Sequence, residues 1–250
     1  MAWVETSSLS FTARYEARQS EVVLSALEEL ESYRDRLESL FPRTPGNVTI
    51  VLHDSPLQLA IAQPYLAFAR RLASPAARRY MVSWFTQGEV HTLAPDVLRK
   101  LATGPGSLQA LLLSPQRAYT LLVVAVNNPL LPPPFRPSNL RSVIRFAWLL
   151  EGAAQYFSGQ LPHLRVAISR RLREAPPAFP PGIRDAGLLG GVLFDMLALE
   201  RGIEACVSLA CQTEPPEPRA LLESAFGQSL AEVRPRWSEH LERLASPAVR

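Results

Sequence analysis

Glu151, in the sequence WLLEGAAQYFSG at residues 148–159, is the side chain best placed to do chemistry. It is the only acidic residue from Val97 through Gln160, and Gly152 follows it inside an aromatic-rich run with helical spacing. A carboxylate among apolar residues costs free energy unless a cation or hydrogen-bond donors satisfy it. We therefore ask whether Glu151 is a metal ligand and which residues would accompany it.

Further zinc ligands are absent from this part of the chain. There is no histidine from Thr92 to Pro162 and no aspartate or glutamate from Val97 to Leu150. The four histidines are His53, His91, His163 and His240. A rewired metal site that pairs His91 with Glu151 is the one arrangement we keep open, because the predicted strand of His91 would border the cleft. We do not favour it, since lone histidines are more often satisfied by local hydrogen bonds. The chain also contains no phosphate-binding glycine loop and no G-x-S-x-G nucleophile elbow.

Without a metal, two other interpretations are open, one for Glu151 and one for the arginines near it. The Glu151 carboxylate could accept backbone N–H groups or pair with Arg145 or Arg141 of the same predicted helix, and we favour such a structural role. Arg117, Arg141 and Arg145 have no acids near them in sequence and could leave a positively charged cleft for an anionic ligand such as a peptide carboxylate, but we favour solvated surface arginines.

The composition argues against several classes of partner. The chain has 250 residues, 47% of them hydrophobic and 20% charged, which is ordinary for a folded soluble protein. Its net charge of +3 is not concentrated in a block, and Lys100 is the only lysine. This pattern indicates the high-GC coding bias of many bacteria rather than a nucleic-acid surface. We expect no nucleic-acid partner, no cofactor and no metal; nothing in the sequence indicates an oligomeric state.

The N-terminal residues have no basic start followed by an apolar segment, so no signal peptide is predicted. The longest apolar run, Ala118 to Val126, is about half the length of a membrane span. We therefore expect a cytoplasmic protein without a membrane partner.

Hydrophobic periodicity predicts an α+β order. A strand is predicted at Leu9–Ala17, a helix at Ser20–Phe41, a buried strand at Val48–His53, and a β-hairpin from Tyr80 to Pro95. The later predicted elements are all helices: Leu108–Leu113, Pro115–Asn127, Leu140–Gly159, Asp185–Arg201, Ile203–Cys211, Pro218–Phe226 and Leu230–Leu244. An α+β sheet lobe at 1–96 is therefore followed by a helical lobe at 97–250.

This order, with WLLEGAAQYFSG in its middle, resembles the gluzincin metallopeptidases, specifically the peptidase-MA-like group. In that group the pattern W-L-x-E-G-x-A-x-Y-F carries the third zinc ligand, a glutamate, which corresponds to Glu151. The segment GEVHTLAP resembles the group's edge strand, and ALLESAFGQSLAEVRPRWSEHL resembles its terminal helices.

The resemblance implies a zincin-like fold of two lobes in one unit, with a small mixed sheet whose edge strand borders a cleft. A substrate backbone would lie along that strand by β-augmentation. The residues implied for this binding surface are Val90, His91, Thr92, Arg145 and Tyr156.

The same resemblance implies a lost catalytic site. A gluzincin needs His-Glu-x-x-His on the preceding helix, with two histidines for zinc and a glutamate as general base. The best register places Thr120 and Val124 at the histidine positions and Leu121 at the base. Gln155 stands where the group commonly has an acid that orients a histidine. We therefore predict a catalytically inactive relative that binds a peptide or protein segment, or acts as a scaffold. The alternative is a hydrolase with a rewired or partner-completed metal site that uses Glu151.

Overall fold

The computed structural model describes residues 3–136, 139–212 and 217–246. Over these residues the chain is α+β, which confirms the predicted class, with a small mixed sheet of five strands and fourteen α-helices. The strands are β1 (Trp3–Ser7), β2 (Phe11–Glu16), β3 (Val48–His53), β4 (Ser83–Thr86) and β5 (Glu89–Leu93).

In the described part of the chain after β5 the only regular elements are helices, joined by loops and including a 3-10 helix at Leu161–Leu164. The α-helices of the described chain are α1 (Ser20–Glu38), α2 (Pro56–Ala62), α3 (Pro64–Leu72), α4 (Pro75–Arg78), α5 (Pro95–Leu101), α6 (Pro105–Leu112), α7 (Ser114–Asn127), α8 (Leu140–Arg145), α9 (Ala147–Phe157), α10 (Arg165–Leu172), α11 (Ile183–Arg201), α12 (Ile203–Cys211), α13 (Pro218–Phe226) and α14 (Leu230–Ala245). None of these described helices is long and apolar enough to cross a membrane.

The sheet order is β1-β2-β3-β5-β4, which corrects the prediction that Val90, His91 and Thr92 lie on an edge strand. Their strand, β5, pairs in parallel with β3 and antiparallel with β4, so its backbone is bonded on both sides. In the hairpin of β4 and β5, the second strand pairs with β3 and the first strand lies at the edge of the sheet. The prediction had placed the second strand at the edge. The edge strand on this side is therefore β4.

One face of the sheet packs on α1 and α7. Along β2 the alternate residues Phe11, Ala13 and Tyr15 are buried, as expected for a strand with one face in the core. The ring of Tyr119 from α7 meets that of Phe11 edge-to-face, with centroids 5.1 Å apart, and also meets Tyr33 of α1 at 6.4 Å. A single apolar core thus joins the sheet to the helices that follow it.

Two glycines allow α9 and α11 to cross at backbone contact. A Cβ atom on Gly152 would lie 2.6 Å from the carbonyl oxygen of Gly190, and one on Gly190 would lie 2.7 Å from that of Trp148. No side chain fits at such distances. The glycine that follows Glu151 therefore holds the Glu151 helix directly against α11.

Several predicted elements need correction. The predicted helix Leu140–Gly159 is two helices that break at Phe146, whose φ of −104° and ψ of 15° are not helical. The strand β1 and the helices α2, α3, α4, α5 and α10 were not predicted. Of these, α2 to α5 each begin with a proline, which marks a helix start as often as a loop.

Candidate functional site

A small cleft lies beside β4, where Glu151 is found. Its volume is about 60 Å³, and its walls come from α3, β4, α8, α9 and α11 together with Phe135 of the preceding loop. The walls are apolar except for Glu151, and the main contributors are Trp84, Phe85, Phe135, Leu150, Ala186 and Gly187. The strand that lines this cleft is β4, and no residue of β5 lines it.

Glu151 forms an ion pair with Arg117 of α7 inside this part of the fold. The guanidinium Nη2 of Arg117 donates to Oε2 of Glu151, and the two side chains are 3% and 16% exposed. The carboxylate is bonded to an arginine, but the partner is neither Arg145 nor Arg141. Arg117 is the only charged residue of α7, which is the signal by which the sequence could have identified it.

Arg145 and Tyr156 lie away from the cleft. Arg145, at the end of α8, is exposed and pairs with Glu217. The ring of Tyr156 packs against Phe157 and Phe194, with centroids 5.1 and 6.3 Å apart, and burial raises the pKa of its hydroxyl. Neither side chain is among the residues that line the cleft.

The three degenerate motif positions on α7 are completely buried. Thr120 donates to the carbonyl oxygen of Gln116 over 2.8 Å, and its hydroxyl also meets that of Tyr33. Leu121 and Val124 belong to the apolar core. Leu121 and Val124 have no group that could bind a metal or take a proton from water, and the hydroxyl of Thr120 is used by its two bonds. Arg117, one turn before Thr120, is the α7 residue that reaches Glu151.

Gln155, one turn after Glu151, connects α9 to α11. Its Oε1 accepts from the backbone N–H of Gly191 over 2.9 Å, and its Nε2 lies 3.5 Å from the carbonyl oxygen of Ala186. The residue is completely buried, and both of its partners are neutral backbone groups. A neutral amide satisfies this site with a donor and an acceptor, whereas a carboxylate would offer only acceptors.

His91 has partners other than Glu151. Its Nδ1 lies 3.0 Å from Nε2 of His53 on β3, and its Nε2 lies 3.2 Å from Glu89. Burial lowers the pKa of both imidazoles, to about 4 for His53, which also faces His91. The structure therefore does not bring His91 and Glu151 together. Within the described ranges, no three His, Cys, Asp or Glu side chains are grouped so that they could hold a metal ion.

No family model, curated protein or solved structure matches this chain. The relationship to the gluzincin group stays a prediction that depends on the quoted motifs.

Proposed function

We propose that this chain is a catalytically inactive, zincin-like protein that binds an extended peptide or protein segment in the cleft beside β4. The observation that carries the proposal is the ion pair between Arg117 and Glu151. Glu151 is the residue that the resemblance identifies as a zinc ligand.

The ion pair disfavours metal chemistry for a physical reason. Arginine stays charged at any ordinary pH, so Arg117 already supplies the positive charge that a ligand glutamate would otherwise take from a metal. A metal ion at Glu151 would have to displace a guanidinium that is 3% exposed, and the buried charge would then lack its partner. The side chains at Thr120, Leu121 and Val124 offer no compensating ligand. The hydrolase alternative therefore has no support at this site.

The outer edge of β4 pairs with no strand in the described part of the chain, but Ser83 and Phe85 are each 1% exposed, so a bound segment would have to displace the groups that cover this edge. The backbone N–H of Leu93 bonds to the carbonyl oxygen of Val82, and Trp84 pairs with His91 two residues further along. Because hydrogen-bonded pairs alternate in an antiparallel ladder, the backbone groups of Ser83 and Phe85 point away from β5. In the described part of the chain no strand pairs with this side of β4. A bound segment would add a strand here, which replaces the predicted position along β5.

The cleft next to this edge would accept one small aliphatic side chain of the bound segment. Its volume of about 60 Å³ is too small for a folded element or an aromatic ring, and its walls are apolar. Gly187 keeps part of this space open, because a Cβ atom there would meet only Oε2 of Glu151, at 3.8 Å.

The test selects peptides on the purified chain from a random displayed library and then measures binding of the best synthetic peptide by the change in tryptophan fluorescence, to which Trp84 of the cleft contributes. We expect Gly187→Leu, which fills the cleft, to weaken binding about ten-fold or more, roughly 1.4 kcal/mol. Gly187→Ala should leave it almost unchanged, because its added methyl group makes ordinary contact. Failure to select any peptide, or equal binding by the leucine variant, would refute the proposed site.

A second arm separates the scaffold from the hydrolase. Zinc is titrated by calorimetry into the tag-free protein and into Glu151→Ala. We expect no specific binding to either. Tight one-to-one zinc binding that disappears in Glu151→Ala would overturn the proposal in favour of a rewired metal site.

A further inference from the structure

A second cavity, which we call the α1 cavity, lies between helix α1 and the strands β2, β3 and β5. Its volume is about 190 Å³, and residues of α5, α6 and the first turn of α7 complete its walls. The walls are mainly apolar and include the buried side chains of Leu27, Leu30, Ile50, Leu52, Leu93 and Leu98. No described residue lines both this cavity and the cleft beside β4. The two are therefore separate candidates for ligand binding.

One buried polar side chain, that of Gln116, belongs to the wall of the α1 cavity. Gln116 lies in the first turn of α7 and is 7% exposed. Its Oε1 has no hydrogen-bond partner in the part of the chain that the structure describes. A buried amide oxygen without a partner destabilises a fold, whereas leucine would fill a similar volume at no such cost. Folding alone therefore does not explain a glutamine at this position.

The other polar residues of the wall indicate an uncharged ligand. Ser25, Glu29 and Arg99 are all exposed to solvent. Because Glu29 and Arg99 carry opposite charges, they give the cavity no net charge that would select an ion. The buried part of the wall offers only the neutral amide of Gln116, and a charged group there would lose its hydration without a countercharge.

The volume of the α1 cavity limits the ligand to a small molecule. An apolar protein cavity of about 150 Å³ holds benzene. A space of about 190 Å³ therefore accommodates one ring with a small substituent, or a short chain of similar size. The amide of Gln116 can exchange the positions of Oε1 and Nε2 by half a turn about its last bond. A hydroxyl group both donates and accepts, so it can pair with the amide in either orientation.

We propose that the α1 cavity binds a small uncharged molecule, an apolar ring or short chain with one hydroxyl group that hydrogen-bonds to the amide of Gln116. The apolar walls supply most of the affinity, and the single amide selects the hydroxyl group and fixes its orientation. This site is additional to the cleft beside β4 and does not depend on the function proposed for that cleft.

The test compares phenol with toluene, in which a methyl group replaces the hydroxyl. Each probe is titrated into the isotope-labelled full chain, and two-dimensional NMR gives its Kd and follows the side-chain amide signal of Gln116, assigned as the signal missing from Gln116→Leu. We expect saturable binding of phenol that shifts this signal. Gln116→Leu should lower the affinity for phenol relative to that for toluene by about ten-fold, because the phenol hydroxyl would then be buried without a partner. The ratio cancels the different hydration of the two probes.

Three variants separate binding from folding. Gln116→Leu should leave the thermal midpoint unchanged or raise it, because Oε1 of Gln116 has no partner to lose. Ala26→Leu, in the α1 wall, should fill the cavity and weaken both probes about ten-fold or more. Ala60→Leu on α2 is the matched control, because Ala60 is half-buried like Ala26 but does not line the cavity; it should bind both probes as the wild type does.

Two kinds of result would overturn the proposal. An unchanged ratio of phenol to toluene affinity in Gln116→Leu would refute the hydrogen bond to Gln116. Absence of saturable phenol binding, or equal binding by Ala26→Leu and Ala60→Leu, would refute the α1 cavity as the site.

Discussion

At the scale of single residues, Arg117 and Glu151 act as a unit. The arginine is almost completely buried on an otherwise uncharged helix, and the glutamate is the only acid in a long stretch of sequence. Burial of either charge without the other would destabilise the folded chain, because neither residue has another charged partner in the described residues. The pair therefore fixes α7 against α9 in the place where the resemblance would put a metal.

A double-mutant cycle tests this coupling. We expect Arg117→Leu and Glu151→Leu each to lower the free energy of unfolding by about 3 kcal/mol, because each leaves the other charge unpaired. The double variant should lower the free energy of unfolding by far less than the sum of the two single effects. Urea unfolding at neutral pH measures the three values. Strict additivity would contradict a coupled pair.

The buried histidine pair predicts a specific pH dependence. The pKa of His53 falls to about 4 in the folded chain because of burial and the neighbouring His91, against about 6.5 when unfolded. Below the unfolded value the unfolded chain binds more protons, so this stability is complete above about pH 6.5 and declines as pH falls toward 4.

Unfolding free energies of the wild type and His53→Gln between pH 6.5 and 4 provide the measurement. The variant should show a shallower decline, with a difference on the order of 1–2 kcal/mol across this range. Carboxylates that titrate in the same range are common to both proteins and cancel in the comparison. Parallel curves for the two proteins would show that the pKa of His53 is the same in the folded and the unfolded chain.

At the scale of elements, the crossing of α9 and α11 depends on its two glycines. Gly152→Ala and Gly190→Ala should each lower the free energy of unfolding by several kcal/mol, because the new methyl group would meet backbone at 2.6–2.7 Å. Gly187→Ala, on α11 as well, is the control and should be neutral or stabilising by up to about 1 kcal/mol, because alanine favours helix. Thermal and urea unfolding of the three variants test the contrast. Similar effects at all three positions would argue against this crossing.

Local sequence signals predicted several single elements closely, missed β1 and five short helices, and did not predict the order of the strands in the sheet. The strand Val48–His53 and the helices Ile203–Cys211 and Pro218–Phe226 begin and end where their periodicity and flanking breakers indicate. The order of β4 and β5 depends on contacts between strands distant in sequence, which no local pattern encodes. For the same reason Glu151 was identified from sequence, whereas Arg117, 34 residues earlier and on another helix, was named only as a possible cleft residue and not as the partner of Glu151.

At the scale of the whole molecule, the decisive feature is the core that runs from the sheet into the helices. The predicted lobes at 1–96 and 97–250 meet where Tyr119 of α7 packs against Phe11 and Tyr33, and its hydroxyl donates to the carbonyl oxygen of Pro45 over 2.6 Å. All of these contacts cross the predicted boundary. Neither lobe therefore has a complete core of its own.

This shared core predicts that the chain unfolds in one cooperative transition. Tyr119→Ala should lower the free energy of unfolding by about 3–5 kcal/mol and shift every probe together, because it removes a fully buried ring from the junction. Far-ultraviolet circular dichroism follows the helices, and tryptophan fluorescence reports on Trp3 and Trp84 of the sheet and on Trp148 and Trp237 of the helices, so coincident curves test cooperativity. Two separate transitions, or a shift of only one probe in Tyr119→Ala, would instead mean that the lobes fold independently. A cleft between independent lobes could open and close, whereas a shared core keeps β4, α9 and α11 at fixed positions and favours binding to a preformed cleft.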